Sequence, residues 1–178
     1  MAGTDGVPSP VRIVLIGMMG SGKSSVGRAL SAQTGWPFVD NDALVEGATG
    51  LSAREHLESM GEADLRRVEA DALTAALAHP PPVIIAAAGG TILDADHRRA
   101  LADGGFVVWL RAPTDVLAAR AVGAGHRPWL DGDPKAWFER ALAERESLYA
   151  SVAELVVDIE ALDPVGAAAR IVEAVSAR

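Results

Sequence analysis

Cysteine is absent from this chain, which excludes disulfides, zinc–thiolate sites and thiol catalysis. Long apolar runs are absent too. The longest are about strand length, far short of the ~20 residues a bilayer span needs. Residues Met1–Pro10 lack the basic start and apolar run of a signal peptide. A cytoplasmic protein with no membrane partner is therefore expected. Asparagine occurs once, at Asn41, so no N-K-x-D guanine motif is present and GTPases are disfavoured. Positive charge is scarce: 16 Lys and Arg against 24 Asp and Glu give a formal net charge of −8. Such a chain repels nucleic-acid phosphates unless its basic residues cluster, so no nucleic-acid partner is expected. What remains is 178 residues that are 49% hydrophobic, which suits one globular domain with a full core.

Short β-branched runs alternate with helical stretches. Arg12 to Ile16, Pro37 to Asp40, Val83 to Ala87, Phe106 to Leu110 and Leu155 to Asp158 read as strands. Helices are expected from Lys23 to Thr34 with Gly35 as C-cap, and from about Ser52 to Ala78 with a break at Gly61. Others are expected over Asp94 to Ala102, from Pro113 as a first helical residue, over Pro134 to Tyr149, and from Pro164 onward. Residues 1–10 read as a loose tail. Gly123 to Pro134, rich in glycine and proline, reads as a mobile loop. The alternation implies an α/β fold, a mostly parallel five-stranded sheet with helices on both faces and one domain over residues 11–178. Gly17, Asp40, Gly89 and Arg111 all follow strands, so one edge of the sheet collects the candidate chemistry.

Gly17-Met18-Met19-Gly20-Ser21-Gly22-Lys23-Ser24 matches G-x-x-x-x-G-K-[ST] in full. Its glycines let several N–H groups turn toward one anion, and the helix that begins there adds its positive end. Lys23 supplies a point charge for the outer phosphates of ATP. The Ser24 hydroxyl is a hard oxygen for Mg²⁺. Motor and transporter ATPases usually carry an acid after a later strand. Here Val83 to Ala87 runs into Ala88-Gly89-Gly90, and the acids stand instead at Asp40 and Asp42. That order suits a small-molecule kinase. Asp40 is read as a water-mediated Mg²⁺ ligand and Asp42 as a group that accepts a hydroxyl proton. Helix capping competes for either carboxylate. His56, His79, His97 and His126 show no metal or triad spacing and are read as surface residues. Trp36, Trp109, Trp129 and Trp137 are read as packing residues.

The order of motifs resembles the shikimate kinase family over nearly the whole chain. Ile16 to Gly27 resembles its phosphate loop, Phe38 to Asp42 with Glu46, Thr49 and Gly50 its second-strand signature, and Gly61-Glu62 with Arg66 and Glu69 its G-E-x-x-F-R-x-x-E helix. Arg127-Pro128 with Leu130 resembles its lid, Arg145 with Leu148-Tyr149 its R-x-x-L-Y helix, and Asp158 with Pro164 its adenine-side loop. The resemblance implies a P-loop three-layer sandwich of the nucleoside monophosphate kinase type with a mobile lid at about 123–133. It implies transfer of the ATP γ-phosphoryl group to the 3-hydroxyl of shikimate, with Mg²⁺; a monomer is expected. ATP would lie on Gly20, Ser21, Gly22, Lys23, Ser24 and Ser25, with Arg120 and Pro164 toward the adenine and Arg127 closing from the lid. Asp42 would polarise the hydroxyl, Arg66 and Arg145 would hold the carboxylate, and Gly89 and Gly90 would present N–H groups. Each arginine also has a plainer reading; Arg66, for example, stands one turn from Glu62. The family usually has a third glycine at Ala88 and often phenylalanine at Leu57 and Leu65. Two alternatives stand beside this reading: a kinase of another polyhydroxy acid or cyclitol, and a nucleotide-binding module without turnover.

Overall fold

Five runs of β-branched and aliphatic residues become the strands β1 (Arg12–Ile16), β2 (Phe38–Asp40), β3 (Val83–Ala86), β4 (Phe106–Arg111) and β5 (Leu155–Asp158). A computed structural model describes residues 11–123 and 132–178. The tail at 1–10 and most of the expected lid, including Arg127, Trp129 and His126, lie outside the described residues.

The strands pair in parallel in the order β2-β3-β1-β4-β5. β1 is central, with Val14 opposite both Ile85 and Val107. All four residues of β3, and Ile13 to Ile16 of β1, are buried, as expected of a sheet covered on both faces.

Among the described residues, eight α-helices connect and follow the strands: α1 (Lys23–Thr34), α2 (Asn41–Thr49), α3 (Ala53–Met60), α4 (Glu62–Leu77), α5 (Ala95–Gly104), α6 (Thr114–Gly123), α7 (Pro134–Val152) and α8 (Pro164–Ser176). Crossovers between parallel strands are right-handed, so helices leading in opposite directions along the sheet fall on opposite faces. The α1 crossover runs from β1 out to β2, whereas α5 carries the chain from β3 across to β4. Accordingly α1 packs with α8, and α5 packs with α7.

Several boundaries differ from expectation for local reasons. Asn41–Thr49 is helical because the Asp40 side chain accepts from Asp42 N and caps it. Gly61, at φ 85, does separate α3 from α4. Pro113 stands just outside α6, and its carbonyl accepts from Leu117 N. Asp94 caps α5 through Asp96 N and His97 N. A turn of 3-10 helix, Thr91–Leu93, follows Gly90.

The expectation that His56 is a surface residue is wrong. It is 4% exposed, enclosed where α3 docks on α4, and its Nε2 lies 2.6 Å from Asp64 Oδ2. That hydrogen bond, with a second from Arg67, holds the Asp64 carboxyl below its ordinary range.

Candidate active site

The loop after β1 needs glycine where it bends. Gly17 has φ 143, and a Cβ there would stand 2.6 Å from the Leu110 carbonyl oxygen. Gly20 and Gly22 are left-handed at φ 78 and 82. The left-handed turn at Gly22 leads directly into α1, so the loop's N–H groups and the helix start share one anion-binding end. Farther along α1, a Cβ on Gly27 would lie 2.2 Å from the Phe38 ring, so glycine is what lets α1 sit close on β2. Lys23 Nζ donates to the carbonyls of Gly17, at 2.9 Å, and Met18, at 3.0 Å. The ammonium thus lies over the loop itself.

One cavity of about 690 Å³ opens beside this loop. Its lining includes Ser24, Ser25, Arg120 and Pro164. Arg120 Nη1 donates to the Gly20 carbonyl at 3.3 Å, which joins α6 to the loop. Pro164 opens α8, whose cap Asp163 accepts from Gly166 N at 2.7 Å.

The lining also includes Asp42, Arg66 and Arg145, with Leu57, Leu65 and Ala88 among the walls. Asp40 is the cap of α2, while Asp42 is exposed on its first turn. Arg66 donates from Nη1 to Glu69 at 2.7 Å and from Nη2 to Glu62 at 3.2 Å. The plain pairing with Glu62 is therefore real, and Glu69 adds a second. Burial lifts the Glu69 carboxyl above its ordinary range against the pull of Arg66, and the Asp42 and Glu62 charges push the same way as burial.

The segment after β3 meets both the phosphate loop and Arg66. A Cβ on Gly89 would lie 3.3 Å from the Gly17 carbonyl oxygen, and one on Gly90 would lie 2.0 Å from Arg66 Nη1. Both glycines are thus places of close approach, one to the phosphate loop and one to a guanidinium. Tyr149 of α7 fixes the segment: its hydroxyl donates to the Gly89 carbonyl at 2.8 Å. The Tyr149 ring stacks on Trp109 with centroids 5.6 Å apart. Burial pushes the Tyr149 hydroxyl up to about 12, so it stays a neutral donor at ordinary pH.

Arg145 is held differently from Arg66. Its side chain is 11% exposed, its Nε has no hydrogen-bond partner among the described residues, and its guanidinium lies 5.9 Å from the centre of the Trp137 ring and beside the Tyr149 hydroxyl, whose rise it opposes. Trp137 is half-buried and lines the cavity, so it is more than the packing residue expected.

Arg111 does not join this assembly. It makes a two-pronged pair with Asp158, at 2.6 and 2.9 Å, which ties β4 to β5 away from the cavity lining. The sequence reading named Glu69 and Tyr149 only as motif positions and Trp137 only as a packing residue; none was placed in the site. The first stands three residues after Arg66, a visible signal. The Tyr149–Gly89 contact spans sixty residues and left none.

A phosphate loop at the end of the central strand of a parallel sheet, with acids and arginines across one cavity from it, defines a P-loop phosphotransferase. The family model for shikimate kinase matches residues 19–176. The chain is 42% identical over 147 residues to a shikimate kinase of Paramagnetospirillum magneticum, covering 82% of this chain and 74% of that one. It is 40% identical over 167 residues to a shikimate kinase of Halorhodospira halophila, covering 93% and 94%. A shikimate kinase of Acinetobacter baumannii, solved in complex with shikimate, superposes with a TM-score of 0.89 at 29% identity over 95% of this chain and 94% of that one. This chain belongs to the shikimate kinase family.

Proposed function

We propose that this protein transfers the γ-phosphoryl group of ATP to the 3-hydroxyl of shikimate, as a soluble cytoplasmic monomer. One observation carries the reading: the phosphate loop and the Asp42, Arg66 and Arg145 side chains face a single cavity, in a chain of this family.

ATP phosphates lie on the N–H groups of Gly20 to Ser25, and Lys23 turns from its two carbonyl partners to the β- and γ-phosphates. Arg120 and Pro164 stand where the adenine is expected. The Ser24 hydroxyl and the Asp40 carboxylate are hard oxygens of residues that both line the cavity. A hydroxyl and a carboxylate fit Mg²⁺, which is bound through few protein oxygens with waters and substrate phosphates. Bound there, Mg²⁺ neutralises charge on the transferred phosphoryl group.

Asp42 takes the proton of the 3-hydroxyl as its oxygen attacks the γ-phosphorus and the bond to the β-phosphate oxygen breaks. Arg145 and Arg66 hold the carboxylate, with Gly89 and Gly90 alongside. Repulsion between the two guanidinium groups does not by itself require an anionic ligand, because Glu62 and Glu69 already offset Arg66. The stronger support is Arg145, whose charge faces an aromatic ring and the cavity. Its contact with Glu144 is 4.0 Å, and Glu144 is well exposed, so that pair is weak. Arg127 completes the site from the lid.

The test is ADP release from ATP with shikimate, run beside a panel of other polyhydroxy acids. Strong preference for shikimate is expected. Release that is equal across the panel would favour a broader polyol kinase, since Leu57, Leu65 and Ala88 all line the cavity. No release with any acceptor would leave a nucleotide-binding module.

A further inference from the structure

Residues 137, 141 and 145 lie at i, i+4 and i+8, along one stripe of α7. Long side chains on a helix lean toward its N-terminus, so Arg145 is aimed back along this stripe toward Trp137. Between them stands Ala141, a small buried residue at 7% exposure. Trp137 itself meets the buried Phe138 ring edge-on, with centroids 5.0 Å apart at 85°. The indole therefore offers Arg145 a fixed face.

We infer that Trp137 is a positioning residue: its ring holds the Arg145 guanidinium by a cation–π contact and so aims that charge at the acceptor's carboxylate. The inference rests on the reading of Arg145 as an acceptor-side residue. An aromatic face suits this task better than a carboxylate. A paired Glu would occupy the guanidinium's N–H groups and cancel the charge that the acceptor must meet, as Glu69 and Glu62 do in part for Arg66. A ring face attracts the cation through its quadrupole and leaves the in-plane N–H groups available. The 11% exposure of the Arg145 side chain limits screening by water, which strengthens the contact.

Trp137→Leu keeps apolar bulk and removes the ring. It should raise the KM for shikimate by roughly three- to thirtyfold, the span of a partly desolvated cation–π contact, and leave kcat and the KM for ATP unchanged. Trp137→Phe, which restores a ring, should recover most of the loss. The discriminating measurement repeats Trp137→Leu in an Arg145→Ala background, where it should add no further rise. An equal rise with and without Arg145 overturns the inference, because Trp137 would then act on the acceptor directly or through the fold. A fall in kcat, or in ATP binding, overturns it as well. Should Trp137→Leu not fold, Trp137→Phe carries the same cycle with a rise of about twofold. If the wild type does not phosphorylate shikimate at all, it is the proposed function that fails; an unchanged KM in Trp137→Leu beside an active wild type sinks the inference alone.

Discussion

In the proposed reading, the donor side of the cavity is made mainly of main chain, and the acceptor side of long side chains reaching in from separate elements. At the donor end the glycines at 17, 20 and 22 and the start of α1 place the binding groups, and Lys23 is held by carbonyls of the same loop. At the acceptor end Asp42 comes from α2, Arg66 from α4 and Arg145 from α7. Arg66 is held by two carboxylates; Arg145 lies against the Trp137 ring and the Tyr149 hydroxyl. A backbone cradle recognises phosphate whatever carries it. A set of distant side chains can be retuned one residue at a time, and the family departures Leu57, Leu65 and Ala88 all line the cavity.

If the two ends are separable, their variants must divide cleanly. The largest effect is expected from Lys23→Ala. It should abolish turnover and weaken ATP binding while the fold survives, checked by steady-state kinetics and nucleotide titration. A folded variant with ordinary turnover would break the donor assignment. Next comes Asp42→Asn, which keeps size but removes the charge. The kcat should fall ~10²–10⁴-fold, the usual scale of general-base help, with ATP affinity nearly constant. A variant that loses ATP binding and keeps its kcat would move Asp42 to the metal or to the fold.

The two arginines sharpen the comparison further. Either substitution by alanine should raise the KM for shikimate by roughly ten- to a hundredfold, from about 1.5–3 kcal/mol for a hydrogen bond to a charged group. Only Arg66→Ala should also lower stability in a pH-dependent way. Burial already raises the Glu69 carboxyl above its ordinary range, and removing Arg66 lifts it further. Between the lower unfolded pKa and the higher folded one, the native state binds more protons than the unfolded state. Stability therefore falls as pH rises through that window. Melting curves should show Arg66→Ala losing about 1–3 kcal/mol more near neutrality than at about pH 4, where Glu69 is largely protonated in both states. A penalty that does not change with pH would remove Glu69 from the account.

The smallest effects concern the joining segment. Gly90→Ala places a methyl against Arg66 and should raise the KM for shikimate several-fold, roughly what a displaced side-chain hydrogen bond costs. Gly89→Ala presses instead on the phosphate loop and should act on ATP. Kinetics with each substrate varied in turn would show whether the division holds.

These two ends also differed in how far the sequence disclosed them. The phosphate loop is contiguous, and each of its residues acts near its own position, so spacing alone gave its place after β1 and before α1. The acceptor residues were legible only through the order of motifs across the chain. Their geometry was not: that Arg66 lies against Gly90 depends on how α4 docks beside the turn Thr91–Leu93 that follows β3. His56 was misread for the same reason, since its burial arises only when α3 folds back on α4 across Gly61. The helix Asn41–Thr49 was missed because its cap, Asp40, was weighed first as a metal ligand.

The central claim is that the arginine end reads a carboxylate on the acceptor. The direct measurement compares kcat/KM for shikimate with that for its analogue in which the carboxylate is reduced to an alcohol, in the wild type and in Arg145→Ala. The account predicts a strong preference for shikimate in the wild type and the loss of most of that preference in the variant. Equal phosphorylation of both acceptors by the wild type would contradict it.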